Sequence, residues 1–109
     1  MRQYEFVVVI QPTLEDEGVT AIVNQVEEII RRGGGEILGR GQLLDKKGTI
    51  SEAADTWSKR RLAYPINGHR EGYYAVLRYS GPSPVIGEIE QLARLNEAVL
   101  RYLTIRCDE

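Results

Sequence analysis

The sequence predicts a single α+β domain in which two helices cover one face of an antiparallel sheet. Three observations lead to this prediction. The chain has 109 residues, of which 42% are hydrophobic and 28% are charged, as expected for one globular domain. Short runs of β-branched and aromatic residues alternate with two amphipathic stretches. Pairs of glycine, proline and asparagine mark the boundaries between these segments.

The first element is a strand from Gln3 to Ile10, because β-branched and aromatic residues dominate this stretch. Successive side chains of a strand point to opposite faces. One face is apolar throughout and is predicted to pack on the core: Tyr4, Phe6, Val8 and Ile10. The opposite face places Val7 and Val9 on the side of the sheet that the helices leave uncovered.

A helix follows the first strand, because apolar residues recur every three or four positions from Val19 to Ile30. Thr13 with Asp16 resembles a capping box at its start. The run Gly33-Gly34-Gly35 supplies a left-handed stop. A second strand is predicted from Glu36 to Leu44, with its two glycines weakening it or marking a bulge. Residues 45–56 have no clear period and predict an exposed loop or a short helix.

The second half of the chain contains further predicted strands and a second predicted helix. Strands are predicted at Arg61–Ile66 and Gly72–Tyr79, with Asn67-Gly68 and Glu71-Gly72 between them marking a hairpin connection. Ser83-Pro84 offers a cap and a first-turn proline for a helix from Val85 onwards. The chain closes with a strand from Val99 to Arg106.

The resulting order, β-α-β-β-α-β, is that of the ferredoxin-like arrangement, a four-stranded antiparallel sheet with two helices on one face. We expect one such domain over residues 1–109, with the loop at 45–56 exposed. This architecture hosts small enzymes, metabolite sensors and RNA-binding proteins alike. The function must therefore be inferred from particular residues.

The sequence lacks the residues that several kinds of functional site require. Cys107 and His69 are each the only residue of their type, so neither an internal disulfide nor a multi-ligand metal site is expected. The glycine runs lack the Lys-Ser or Lys-Thr pair of a phosphate-binding loop. The longest apolar run, Phe6–Ile10, is much shorter than the roughly 20 residues of a membrane span. We expect no cofactor, no small-molecule substrate and no membrane association, and a cytoplasmic location.

The charges are unevenly distributed. The formal net charge is −2, which argues against a nucleic-acid binder that acts alone through long-range attraction. Residues 57–78, however, contain five basic residues and one acidic residue. Within this region, three adjacent cations lie between a tryptophan and a tyrosine, in the segment Trp57–Ile66. Cations that neutralise phosphates beside planes that stack on bases are the combination that RNA contacts use.

The same segment, extended to Asn67, reads WSKRRLAYPIN and closely resembles the signature of the bacterial-type ribosomal protein S6 family of the small ribosomal subunit. The opening Met1–Glu5 resembles the start of that family, and Arg94–Arg101 resembles its junction between the second helix and the last strand. The order of elements agrees as well, so the resemblance covers nearly the whole chain.

The resemblance implies a non-enzymatic, structural protein of the small ribosomal subunit that binds central-domain ribosomal RNA together with ribosomal protein S18, a small basic protein. It would then be ribosome-associated. A basic partner fits the charge of this chain, because a protein at −2 gains little from counterion release alone. The acidic residues within 1–56 would offer that partner a docking surface.

Six residues are candidate RNA contacts by their match to basic positions of the family or by their place in its junction: Arg2, Lys59, Arg60, Arg61, Arg94 and Arg101. For Arg94 the alternative is neutralisation of a helix C-terminus, and for Arg101 it is a solvated position on an edge strand. Trp57 and Tyr64 could stack on bases or pack inside the protein. The apolar pattern that continues from Tyr64 through Pro65 and Ile66 favours packing for the tyrosine.

Two other classes of function stay open at this point. One is a small ferredoxin-like enzyme of the acylphosphatase type, which would hold a phosphate with an arginine and an asparagine. The turn after the first strand, Gln11–Leu14, contains neither the glycine nor the arginine that such a cradle needs. The other is a metabolite-sensing dimer that associates through the uncovered sheet face.

Overall fold

The structure, a computed structural model, describes residues 2–43, 50–51, 57 and 59–107. Within these residues two helices and six strands follow one another along the chain. They are β1 (Arg2–Ile10), α1 (Asp16–Arg32), β2 (Glu36–Leu43), β3 (Ile50–Ser51), β4 (Lys59–Ile66), β5 (His69–Gly81), α2 (Pro84–Leu95) and β6 (Val99–Arg106). Neither helix in the described part of the chain is long and apolar enough to cross a bilayer.

The sheet has the predicted ferredoxin-like α+β topology, because the long strands lie antiparallel in the order β2-β5-β1-β6. The predicted count of four strands was too low, because β4 corresponds to the strand predicted at Arg61–Ile66 and β3 lies in the stretch predicted as a loop or short helix. With both, the sheet has six strands. The length of β5, 13 residues, explains the extra pairing of β4. Residues 75–80 of β5 pair with β2, and residues 69–73 pair with β4 along the same edge.

The core lies between the helices and one face of the sheet. The predicted inward set of β1 is buried, and its members are between 0% and 5% exposed: Tyr4, Phe6, Val8 and Ile10. They meet the apolar stripe of α1, which is buried from Val19 to Ile30, and the buried Val85, Ile89 and Ala93 of α2. The period-2 and period-3.6 patterns therefore identified the core correctly.

The ends of α1 differ in how well the sequence predicted them. The capping box at Thr13 was wrong, because the helix begins at Asp16 with Glu15 at the N-cap and no side-chain cap bond. The glycine stop is confirmed. Gly34 has φ 86°, and the N–H groups of Gly34 and Gly35 donate to the carbonyl oxygens of Arg31 and Ile30. These two bonds satisfy carbonyls that a helix end otherwise leaves without partners.

The second helix begins as the sequence indicates, with Ser83 at the N-cap and Pro84 in the first turn. The serine hydroxyl makes no cap bond, so the proline contributes more than the serine to the start of this helix. The predicted bulge in β2 is also confirmed, because its register with β5 shifts between Ile37 and Gly39. Of the predicted loop at 45–56, only Ile50–Ser51 is described, and it pairs with the end of β2. The rest lies outside the described residues.

The hairpin between β4 and β5 has the tight turn that Asn-Gly predicts. Asn67 and Gly68 both have positive φ, 50° and 82°, as a two-residue type I′ turn requires. Assigning Glu71-Gly72 to the connection was wrong, since both belong to β5. A side chain at Gly72 would meet the Ile10 carbonyl oxygen at 2.9 Å. This glycine therefore allows the hairpin to approach β1 closely.

The buried phenol of Tyr79 makes unfolding sensitive to alkaline pH. Its side chain is 0% exposed, and its hydroxyl has no hydrogen-bond partner within the described residues. Burial, with smaller contributions from Tyr4 and Glu90, raises the pKa of Tyr79 from 10.0 to about 12. Between these values the unfolded chain binds fewer protons than the folded one, so the free energy of unfolding should be constant below pH 10. It should then fall by roughly 2 kcal/mol as the pH rises towards 12.

Urea unfolding between pH 8 and pH 11.5 would measure this loss. Tyr79→Phe should abolish most of it. At neutral pH this variant should stay within about 1 kcal/mol of the parent, because it removes a hydroxyl that has no partner to lose. If the variant lost stability above pH 10 as steeply as the parent does, Tyr79 would not be the group responsible.

Candidate nucleic-acid interface

The basic run of the sequence forms the first part of β4, where it pairs with β5. Lys59 lies opposite Tyr73, and Arg61 lies opposite Glu71. Both cations are exposed, and because they are two positions apart they share one side of the strand. Arg60 pairs through its backbone with Gly72. The side chains of Arg60 and Tyr64 lie outside the described residues, so their predicted roles stay predictions.

Two further candidates, Arg101 and Arg94, lie at the same end of the sheet as β4, the basic strand. That end is where β1 finishes and β6 begins, and Lys59 reaches it because its partner Tyr73 pairs in turn with Ile10. Arg101 lies opposite Val9 near the start of β6. Three strand spacings of about 4.8 Å place β6 roughly 14 Å from β4. Arg94 is exposed in the last turn of α2, which ends a few residues before β6.

Arg2 does not belong to this group. It is exposed at the opposite end of β1, where it pairs with Gly81. Eight residue steps of about 3.4 Å separate it from Ile10, which is roughly 27 Å. We call the end of the sheet where β1 finishes, β6 begins and the β4–β5 hairpin projects the hairpin end. A single short stretch of RNA backbone bound there cannot reach Arg2 as well. If Arg2 binds a phosphate, it does so at a second contact.

One cation of this region, Arg70, was not among the predicted contacts. This residue is exposed on β5, one residue beyond His69, which pairs with Ile66 across the turn. The signal was present in the sequence, because a two-residue Asn-Gly turn fixes the register of the strands on either side. That register puts Arg70 on the hairpin arm that faces the basic strand.

Trp57 is a packing residue. It is 6% exposed and belongs to the core cluster. Its indole Nε1–H donates to the hydroxyl oxygen of Thr20 at 3.0 Å, and its backbone N–H donates to a carboxylate oxygen of Asp16 at 3.4 Å. Of the two roles left open by the sequence, this buried position favours packing over stacking on a base. The tryptophan instead attaches the chain just before β4 to helix α1.

The charges separate into two layers. Among the described residues, the strands contain nine basic and three acidic residues, whereas the two helices with their flanking turns contain three basic and eight acidic ones. The basic residues of the strands are Arg2, Arg40, Lys59, Arg60, Arg61, Arg70, Arg78, Arg101 and Arg106. The strands are therefore net positive and the helices net negative, although the whole chain is at −2, Arg40 reaches from β2 to Glu27 of α1, and Arg78 pairs with Glu5.

The uncovered face of the sheet contains an apolar groove. It has a volume of about 240 Å³ and is lined by Val7, Val9, Leu62, Ile66, Tyr74, Arg101, Tyr102 and Leu103. On β6, the exposed fractions are 57% for Leu103, which lines the groove, and 43% for Ile105, which lies beyond it. Arg78 and Glu5 form an ion pair of 2.9 Å across this face. Val7 and Val9 lie on this face as predicted, although Val9 is only 6% exposed within the groove.

The turn after β1 shows how poorly the enzyme alternative fits. An acylphosphatase-type site would need a phosphate cradle there, with a glycine and an arginine that Gln11–Leu14 lack. The N–H of Gln11 instead donates to the carbonyl oxygen of Ala98 at 2.8 Å. This bond joins the end of β1 to the turn before β6, so the amide closes the sheet and is already occupied.

Comparison with known proteins gives consistent matches along the chain. The family model described as Ribosomal protein S6 matches residues 39–106. The chain is 34% identical over 109 residues to the small ribosomal subunit protein bS6 of Desulfitobacterium hafniense, with both chains covered completely. It is 39% identical over 108 residues to the protein of that name from Sulfurimonas denitrificans, covering 99% of this chain and 69% of the relative.

A solved structure shares the fold. The crystal structure of 30S ribosomal protein S6 from Thermotoga maritima aligns with a TM-score of 0.78 at 24% sequence identity. The alignment covers 97% of this chain and 87% of that one. At this level of identity the likeness supports the ferredoxin-like architecture described above.

Proposed function

The chain belongs to the ribosomal protein S6 family of the small ribosomal subunit, a family of structural proteins without enzymatic activity, and from this premise we propose that it binds central-domain ribosomal RNA together with ribosomal protein S18. In this role it is ribosome-associated. The family assignment also removes the enzyme and the metabolite-sensing dimer from consideration.

The observation that carries the RNA-binding proposal is the separation of charge between the layers. RNA binding requires a positive surface, because cations release the counterions that surround the phosphates. The net charge of the chain conceals such a surface, but the sheet layer provides one, and its cations are most concentrated at the hairpin end. Lys59, Arg61 and Arg70 are exposed there, with Arg94 and Arg101 nearby.

The cations of this surface should not contribute equally. Arg61 lies directly opposite Glu71, and a pair of opposite charges in that position attracts across the strands. Lys59 lies opposite Tyr73 and has no such acidic neighbour across the strand. We therefore expect Lys59 to contribute more to phosphate binding than Arg61 does.

A second protein fits the uncovered face. Leu103 and Ile105 are exposed apolar residues beside the groove, and the hairpin end borders the same groove through Leu62 and Ile66. A partner that covers this apolar surface would lie beside Arg101, which lines the groove. Lys59 and Arg61 extend from the same end of the sheet, on the face of their cross-strand partners Tyr73 and Glu71. This arrangement supports joint binding with S18, which would add positive potential to a chain at −2.

The test is a titration of a central-domain RNA fragment with Lys59→Ala and Arg61→Ala, singly and together, in the presence of S18. Each lost phosphate contact should reduce the slope of log K against log salt by about 0.9. The matched control is Arg32→Ala, which removes an exposed cation from the helix layer. Omitting S18 should weaken binding by all variants. An unchanged slope in the folded double variant would contradict the assignment of these residues.

A further inference from the structure

The attachment of Trp57 to α1 lies just before the proposed RNA contacts. Two hydrogen bonds join the tryptophan to the first turns of the helix, one to Thr20 and one to Asp16. The side chain is buried in the core cluster. Lys59, the first residue of β4, follows two positions later. The orientation of the indole therefore restricts where the basic strand can begin.

A second attachment restrains the same place from across the sheet. Tyr73, the cross-strand partner of Lys59, donates its hydroxyl to the carbonyl oxygen of Leu14 at 3.0 Å. Leu14 immediately precedes the N-cap of α1. The chain entering β4 and the residue opposite Lys59 are thus both fixed to the segment where α1 starts. Lys59 and Arg61 extend from a backbone that is restrained on two sides.

We propose that Trp57 is a positioning residue for RNA binding, which uses its bond to Thr20 to hold the basic strand in its binding orientation before RNA arrives. The inference rests on the proposed function. A strand that is fixed in advance loses less conformational freedom on binding than a mobile one, so its cations bind more tightly. Trp57 then affects affinity without touching RNA.

Fluorescence and NMR test the first part of this inference, because Trp57 is the only tryptophan in the sequence. The emission should be that of a buried indole in the free protein and should be nearly unchanged when central-domain RNA and S18 bind. The single indole N–H signal should stay at its chemical shift and remain protected from hydrogen exchange. Strong quenching or a large shift of that signal on RNA binding would mean that Trp57 meets the RNA, and would overturn the proposal.

Substitutions at Thr20 test the second part without removing a core side chain. Thr20→Val keeps the shape of the residue but removes the oxygen that accepts the indole N–H. RNA affinity should fall by up to about fivefold, the equivalent of one neutral hydrogen bond. The salt slope should be unchanged, because the same number of phosphates is still neutralised. Thr20→Ser should restore the affinity, and Thr13→Val, at an exposed threonine outside the contact, should have no effect.

Trp57→Phe completes a double-mutant cycle with Thr20→Val. If the bond between the two residues positions the strand, either change alone should weaken RNA binding and the double variant should be no weaker than the single ones. Additive losses, or full affinity in both single variants while they remain folded, would overturn the positioning role. The proposed function fails separately, since it depends on the salt slopes of the Lys59 and Arg61 variants.

Discussion

Reversing the charge of the basic strand, by Lys59→Glu together with Arg61→Glu, is expected to weaken binding to central-domain ribosomal RNA by about a hundredfold in the presence of S18. The estimate corresponds to two charge-assisted contacts of about 1.5 kcal/mol each. Both residues are exposed and neither belongs to the core cluster, so the fold should persist. Filter binding or fluorescence anisotropy at fixed moderate salt measures the change, with circular dichroism as the check on folding.

The matched control changes the net charge of the protein by the same amount in the opposite direction, but on the helices instead of the sheet. Glu28→Lys with Glu88→Lys places two cations on the exposed surfaces of α1 and α2. These surfaces are separated from the sheet by the thickness of a helix, about 10 Å, which exceeds the Debye length of about 8 Å at physiological salt. Affinity should therefore change less than threefold. Equal and opposite effects of the two double variants would show that only net charge matters and that the layers do not define the interface.

Arg40→Ala is expected to lower the free energy of unfolding by about 3 kcal/mol, because it leaves a buried carboxylate with less compensation. Arg40 extends from β2 to the helix layer, where it donates to Asn24 at 2.9 Å and to Glu27 at 3.3 Å. Glu27 is 7% exposed and also meets Arg31 at 3.5 Å. This cluster attaches an outer strand of the sheet to α1.

Urea unfolding of Arg40→Ala and Arg32→Ala would separate buried from exposed ion pairs. Arg32 pairs with Glu28 at 3.9 Å, and the two side chains are 67% and 61% exposed. Such a pair contributes little, so Arg32→Ala should cost less than about 0.5 kcal/mol. If the two variants were destabilised to the same extent, the buried cluster would have no special role in holding β2 to the helix.

The fold was largely predictable because local patterns agreed with one another. The alternation in β1 separates core from surface without reference to any other segment, since each side chain meets one face only. Asn67-Gly68 specifies its turn because few other residues adopt two consecutive positive φ values. The errors lie where a local rule competes with a distant contact. Glu71-Gly72 resembles a turn sequence, but Gly72 lies within β5. Because it has no side chain, the hairpin can approach the backbone carbonyl of Ile10 closely.

The candidate site was predictable in part. The run from Lys59 to Arg61 identified the basic strand, and Arg94 and Arg101 proved to lie at the same end of the sheet. The separation of Arg2 from this group was not predictable, because its distance depends on the direction in which β1 runs across the sheet. The role of Trp57 was ambiguous in the sequence because a run of cations begins two residues later. In the folded protein, its side chain instead contacts α1.

The sequence by itself determined the positions of the two helices and the longer strands, the core-facing sides of β1 and α1, and the family, since these depend on residue types at short and regular spacings. Only the tertiary structure decided how the charges combine. The sequence shows a basic stretch at 57–78 and a net charge of −2, but neither defines a positive surface. Folding puts the strands in one layer and the helices in another, and because Coulomb interactions depend on distance in space, that arrangement creates a basic sheet beneath acidic helices.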